Sequence, residues 1–187
     1  MSISTEQPSG WRRNRWRIIG WGIAVALILT PLIAMRYTSE VAWTASDFVF
    51  AIILFGGGGL LFELAALMSP NTFYRAGVAL ALVGCFLLVW VNAAVGIIDG
   101  ADNPANLLFG IVIIIAILGS ALAHFRSNGM ALAMFAAVAA EIVIPIGAMI
   151  GGNNPCGSLL ISGFTIPFLL SGLLLKYATS RQNAASA

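Results

Sequence analysis

The stretch AGVALALVGCFLLVWVNAAVGII, residues 76–98, runs for 23 positions without a charge between Arg75 and Asp99. About 20 apolar residues in helical form cross the hydrocarbon core of a bilayer. The run has no period-two alternation, and an isolated strand could not satisfy its backbone in lipid, so it reads as a transmembrane helix. Working outward, the same punctuation recurs. Arg17 and Arg36 bracket 18 uncharged residues, and Asp102 and His124 bracket 21. From Phe48 to Met68 the single charge is Glu63, and between Arg126 and Lys176 it is Glu141. That last interval is too long for one crossing. GGNNPCGS at 151–158 divides it, because Gly, Asn and Pro interrupt helices. The sequence therefore predicts an all-α, polytopic transmembrane bundle of six helices, at about 17–36, 47–68, 76–98, 104–124, 129–150 and 157–177. A basic segment, 1–16, precedes it and a short tail, 178–187, follows.

Composition agrees. Of 187 residues, 60% are hydrophobic and 9% charged, against about a quarter charged in soluble domains. A water-soluble fold, a disordered chain and a nucleic-acid-binding domain are all disfavoured.

Six crossings place Arg12, Arg13, Arg15, Arg17, Arg75, Arg126, Lys176 and Arg181 on one side and Arg36 alone on the other. Basic residues mark the cytoplasmic side, so both termini are expected there. Trp16, Trp21, Trp43, Tyr74 and Tyr177 fall near helix ends, where amphipathic rings suit the headgroups. WRRNRWR at 11–17 reads as an anchor on anionic headgroups rather than a nucleic-acid patch, since it runs straight into an apolar helix. A cleaved signal peptide is disfavoured by the long apolar run and the lack of an A-x-A site.

The residue inventory removes most chemistry. One histidine, His124, excludes bis-histidine haem and H-E-x-x-H zinc sites. The only lysine, Lys176, ends the last helix, too late for a retinal linkage. No G-x-S-x-G, Walker A or dinucleotide motif occurs, and Cys85 and Cys156 are expected too far apart to bridge. No catalytic, cofactor or metal site is predicted, and no enzyme. Gly56, Gly57, Gly58 and Gly59 read as a helix-packing face, where the lack of side chains lets a neighbouring backbone approach. Gly147 and Gly151 form a second small-xxx-small spacing. Asn103-Pro104-Ala105 and Asn154-Pro155-Cys156 look like aquaporin NPA boxes. Both, however, fall on the outer face, and Gly157 and Ser158 stand where that family carries arginine. Each Asn-Pro instead reads as an N-cap and first helical residue; Ser46-Asp47 is expected to cap the second helix.

The intramembrane acids carry the functional question. Glu141 lies about 20 Å into the fifth helix, where an uncompensated charge is costly. Pro145, four residues on, removes the bond to its carbonyl. Asn92, taken on an antiparallel third helix, falls at a similar depth and is its expected partner. Glu63, near a helix end, is expected to reach Arg75 or His124. Pro31 and Pro167 predict kinks in the first and last helices.

DFVFAIILFGGGGLLFELAAL (47–67), YRAGVALALVGCFLLVWVNAAVGIIDGADNPANLLFG (74–110) and HFRSNGMALAMFAAVAAE (124–141) resemble a family of small bacterial integral-membrane proteins of unassigned function. Shared features are acids flanking the second helix, V-W-V-N ending the third, and a D-N-P-A-N loop. The resemblance implies a bacterial cytoplasmic-membrane location and the topology, with no activity.

Two functions follow as expectations. One is proton-linked or small-solute transport, with Glu141 titrating, Asn92 beside it, and Asp47 and Asp99 forming the outer approach. The other is a non-catalytic accessory subunit packing on a membrane partner, or on a second copy, through the glycine face. The bilayer is the one certain partner, and no nucleic acid is expected. Glu141 and Asn92 lining a wet cavity would favour transport. Glu141 sealed in a dry contact would count against it.

Overall fold

The computed structural model describes the backbone of residues 11–154 and 158–186, and the side chains of 17–154 and 163–184. Six α-helices account for most of it: α1 (Trp11–Ala34), α2 (Ala45–Met68), α3 (Thr72–Ala94), α4 (Phe109–Leu122), α5 (Ser127–Ile150) and α6 (Ser158–Ser186). A 3-10 turn, Pro104–Leu108, leads into α4. Five helical segments, Arg17–Ala34, Ala45–Met68, Thr72–Ala94, Pro104–Leu122 and Ser127–Ile150, are long and apolar enough to cross a membrane. The chain is a multi-pass membrane protein, with its apolar helix surfaces exposed to the lipid that would surround them.

The helix ends have local causes. Asn71 caps α3, its side-chain oxygen accepting from Phe73 N at 2.9 Å and Tyr74 N at 3.4 Å. This starts the helix four residues ahead of the expected Ala76. At the other end α3 stops at Ala94, not near 98, because Asn106 captures the next backbone. Its Oδ1 accepts from Ile97 N and Ile98 N at 2.9 and 2.8 Å, and its amide donates to Ile98 O and Gly100 O. Gly96, at φ +70, makes that turn; a Cβ there would run into the Gly100 carbonyl. Asn103 and Pro104 start a helical turn as expected, with Asn103 Oδ1 accepting from Ala105 N at 2.9 Å, but that turn is 3-10 before it becomes α4. Pro155 and Cys156 lie outside the described residues, and so does the cap that Asn154-Pro155 was expected to form ahead of α6.

The chain divides into two compact units, residues 1–61 and 62–187. In the first, no residue of the Arg17–Ala34 span is buried. α2 begins with a turn held by the Asp47 carboxylate and centred on Thr44, not on Ser46. Thr44 N and Thr44 Oγ1 both donate to Asp47 Oδ2, at 2.7 and 2.8 Å, while Asp47 N donates to Thr44 O. Trp43 packs edge-on against Phe48 at 5.3 Å. Of the four consecutive glycines, Gly59 meets Trp21, whereas a Cβ at Gly56, Gly57 or Gly58 would find nothing within 4 Å.

In the second unit the helices pack in the order α3, α6, α5, α4. Single small residues make the close approaches. Gly77 sits under Leu175 and Ser171, Gly84 under Phe168, Gly172 under Phe135, Gly119 against Ala133 and Gly129 against Ala123. Leu88, Phe109, Val112, Met134, Ala137, Phe168 and Leu175 fill the interior. These contacts also set direction. Since Phe168 meets Gly84 and Leu175 meets Gly77, α6 runs antiparallel to α3. Since Gly172 meets Phe135 and Thr165 acts on Glu141, α6 also runs antiparallel to α5. So α3 and α5 are parallel, contrary to the arrangement expected around Asn92.

Candidate functional site

The ladder of contacts along α6 locates Glu141. Gly172 lies between the α6 residues that face Gly84 and Gly77, which puts Phe135 level with Leu80 of α3. Glu141, six residues further along α5, therefore stands level with Cys85 and Phe86. Asn92 is seven residues beyond Cys85, about 10 Å further along α3 at 1.5 Å per residue.

Glu141 is completely enclosed, with 0% of its surface exposed, and among the described residues neither carboxyl oxygen completes a hydrogen bond. The groups close enough to act on it are the Thr165 hydroxyl of α6 and, electrostatically, the Cys85 thiol of α3. One turn on, Pro145 is also buried and cannot donate to the Glu141 carbonyl. The result is a carboxyl, a thiol, a hydroxyl and an undonated carbonyl gathered at mid-helix depth from three helices. The chemistry such a group offers is proton or small-cation binding. Buried carboxyls in lipid are tolerated when a proton, a counter-ion or donors compensate them.

The other residues singled out in the sequence lie elsewhere. Asn92 turns its amide back to Leu88 O at 3.0 Å, and its buried Oδ1 makes no hydrogen bond; it does not bond Glu141. Asp47 is engaged in the cap of α2. Asp99, at φ +48, clamps two loops together. Both its carboxylate oxygens accept from Asn154 N at 3.1 Å, and its own N–H donates to Asn154 O. Beside it Asn103 Nδ2 donates to Asn153 Oδ1 at 3.2 Å. Asp99 thus ties the loop after α3 to the loop after α5. Arg75 donates to Ala66 O and Ser69 O at 2.7 and 2.8 Å, which closes the C-terminal end of α2. Cys85 is a free thiol. Among the described residues no three His, Cys, Asp or Glu side chains gather as a metal site would require.

Thr165 and Cys85 are the neighbours that sequence reasoning missed. A threonine within FTIPF at 164–168 and a cysteine within VGCFL at 83–87 look like ordinary lipid-facing residues until the register of α6 against its neighbours is known. The small residues at Gly77 and Gly84 are the one signal that could have revealed that register.

Comparison with known proteins returns no match, whether to a family profile, to a characterised protein or to a solved structure.

Proposed function

We propose that this chain is a proton-linked, transport-like protein of a bacterial cytoplasmic membrane, with six crossings and both termini on the cytoplasmic side. Glu141 is its proton-binding group. The observation that carries the reading is the enclosed carboxyl whose two oxygens complete no hydrogen bond among the described residues. A glutamate kept only to hold helices together would be expected to spend those oxygens on donors across the interface. The eight-to-one distribution of basic residues supports the orientation, and the resemblance of the stretches 47–67, 74–110 and 124–141 supports the bacterial membrane. Glu141 is sealed, the outcome expected to count against an open transporter, so the reading retained is that of a proton site closed off from water. Asn92, Asp47 and Asp99 serve this reading as positions along a path, not as ligands of Glu141.

The test is a pH-driven flux in proteoliposomes. Glu141→Gln keeps the shape and removes the titrating group, so a flux that depends on a pH gradient should fall to the level of empty liposomes. Flux equal to wild type would sink the proton site.

A second reading, the accessory subunit, is favoured by two observations: the sealing of Glu141, and Gly56, Gly57 and Gly58, where an added Cβ would meet nothing within 4 Å. It predicts co-purification of a membrane partner in mild detergent, lost on Gly57→Leu. A strictly homomeric preparation counts against it.

A further inference from the structure

The Glu141 site offers more oxygen than a proton uses. Its two carboxyl oxygens are enclosed, and among the described residues neither has a donor. A proton occupies one of them and leaves the other unpaired, whereas buried polar atoms are expected to be partnered. A dehydrated cation meets both at once, as it does when a carboxylate ligates it in bidentate fashion.

The surrounding helices bring no counter-charge to this depth. α4 carries no titratable side chain, and Glu141 is the one charge on α5. On α3 the basic residue is Arg75, ten positions before Cys85 and so about 15 Å away along the axis. On α6 the first is Lys176, eleven positions after Thr165, about 16 Å along that axis. What comes close is the Thr165 hydroxyl and the Cys85 thiol.

The backbone is interrupted at the same level on two facing helices. Pro145 and Pro167 are both buried, and neither has an N–H, so the carbonyls of Glu141 and Gly163 lack the donor four residues ahead. With Gly172 against Phe135 and the two helices antiparallel, Gly163 stands level with Ile144, less than a turn beyond Glu141. Main-chain carbonyls freed in broken membrane helices are the groups that coordinate sodium in transporters, and all-oxygen donor sets suit hard cations. Charge selects the valence. One carboxylate neutralises a monovalent ion, while a divalent ion would keep an uncompensated charge in lipid.

We propose that the Glu141 carboxylate, the Thr165 hydroxyl and the Glu141 carbonyl freed by Pro145 bind a dehydrated sodium ion. The proposal rests on the reading of Glu141 as the transport site and names a second ion for it.

The test uses the full-length protein in neutral detergent, at one fixed pH, in choline chloride buffer free of sodium. Sodium chloride then replaces choline chloride at constant ionic strength, while the denaturation temperature and the retention of radioactive sodium are followed. Both should rise to saturation with sodium, and N-methylglucamine should have no effect. Thr165→Val should weaken sodium binding about tenfold, and Thr165→Ser should recover most of it. Glu141→Gln should abolish the response, and Ser120→Ala on α4 should leave it unchanged. Should Glu141→Gln fail to fold, the two Thr165 variants decide the matter. Absence of a saturable sodium response, or wild-type affinity in Thr165→Val or Glu141→Gln, overturns the proposal. Proton flux is measured separately, in the sodium-free buffer. Flux that requires Glu141, without any sodium response, overturns the sodium site and leaves the proton site standing. Sodium binding that requires Glu141, with flux unchanged in Glu141→Gln, supports the sodium site and sinks the proton site.

Discussion

Ser171 donates its hydroxyl to the carbonyl of Gly77 at 2.7 Å across the interface of α6 and α3, and both residues are buried. The bond exists because Gly77 has no side chain. A Cβ there would lie 2.8 Å from Leu175 Cγ and 3.3 Å from Ser171 O. Interhelical hydrogen bonds in membranes are worth about 1 kcal/mol, while overpacking costs about 1–3 kcal/mol. Ser171→Ala should therefore lower stability by about 1 kcal/mol, and Gly77→Val by clearly more, measured by denaturant unfolding in mixed micelles. Equal effects would mean that α3 and α6 are held by something other than this close approach.

Asn106 replaces four backbone partnerships at the end of α3. Its loss would strand the N–H groups of Ile97 and Ile98, whose residues are fully enclosed. Leaving a buried backbone group unpaired costs about 1–3 kcal/mol. Asn106→Leu, similar in volume, should cost at least about 2 kcal/mol and speed amide exchange at Ile97 and Ile98. Asn106→Asp keeps the acceptor and loses the donors, so it should fall between Leu and wild type. Unchanged exchange at Ile97 in Asn106→Leu would count against this account.

At the other end of the scale, the α2 cap is solvent-exposed and local. Thr44→Ala removes the hydroxyl bonded to Asp47 Oδ2 but leaves the Thr44 N–H to Asp47 bond available. A loss of about 0.5–1 kcal/mol is expected for one exposed side-chain hydrogen bond, seen as fraying of the first turn of α2 in exchange experiments. The Glu141 site should be untouched.

How much of this was legible in the chain follows from what each signal depends on. The spans were readable because charge placement is a property of single residues, and five of the predicted runs coincide with apolar helices. The Asn103-Pro104 turn was readable because capping is local. What escaped depends on register between helices distant in sequence. The glycine run at 56–59 was conspicuous in composition, but the close approaches fall on isolated residues, Gly77, Gly84, Gly119, Gly129 and Gly172, whose meaning depends on what stands opposite. For the same reason Asn92 looked like the neighbour of Glu141. An antiparallel α3 would bring Asn92 to that depth, whereas the parallel α3 and α5 bring Cys85 to its level instead. Asn106 was read as part of a loop motif, and nothing local announced that it would end α3 by accepting from residues eight and nine positions earlier.

The nature of Glu141 can be separated from its role by stability alone. Removing one partner of a bonded buried pair is costly, by about 3–5 kcal/mol, because the other is left stranded. Among the described residues neither Glu141 oxygen completes a hydrogen bond, so truncating the carboxyl strands little. The Thr165 hydroxyl can turn to the carbonyl four residues back on its own helix, as Ser and Thr in membrane helices do. Glu141→Leu, an apolar residue of similar volume, is therefore expected to leave the denaturation temperature unchanged or to raise it, and Glu141→Gln to behave alike. A buried polar residue whose replacement by leucine stabilises the protein is being kept for something other than folding. If Glu141→Leu instead lowers stability by several kcal/mol, the carboxyl is a structural tie between α5 and α6, and the transport reading loses the observation that carries it.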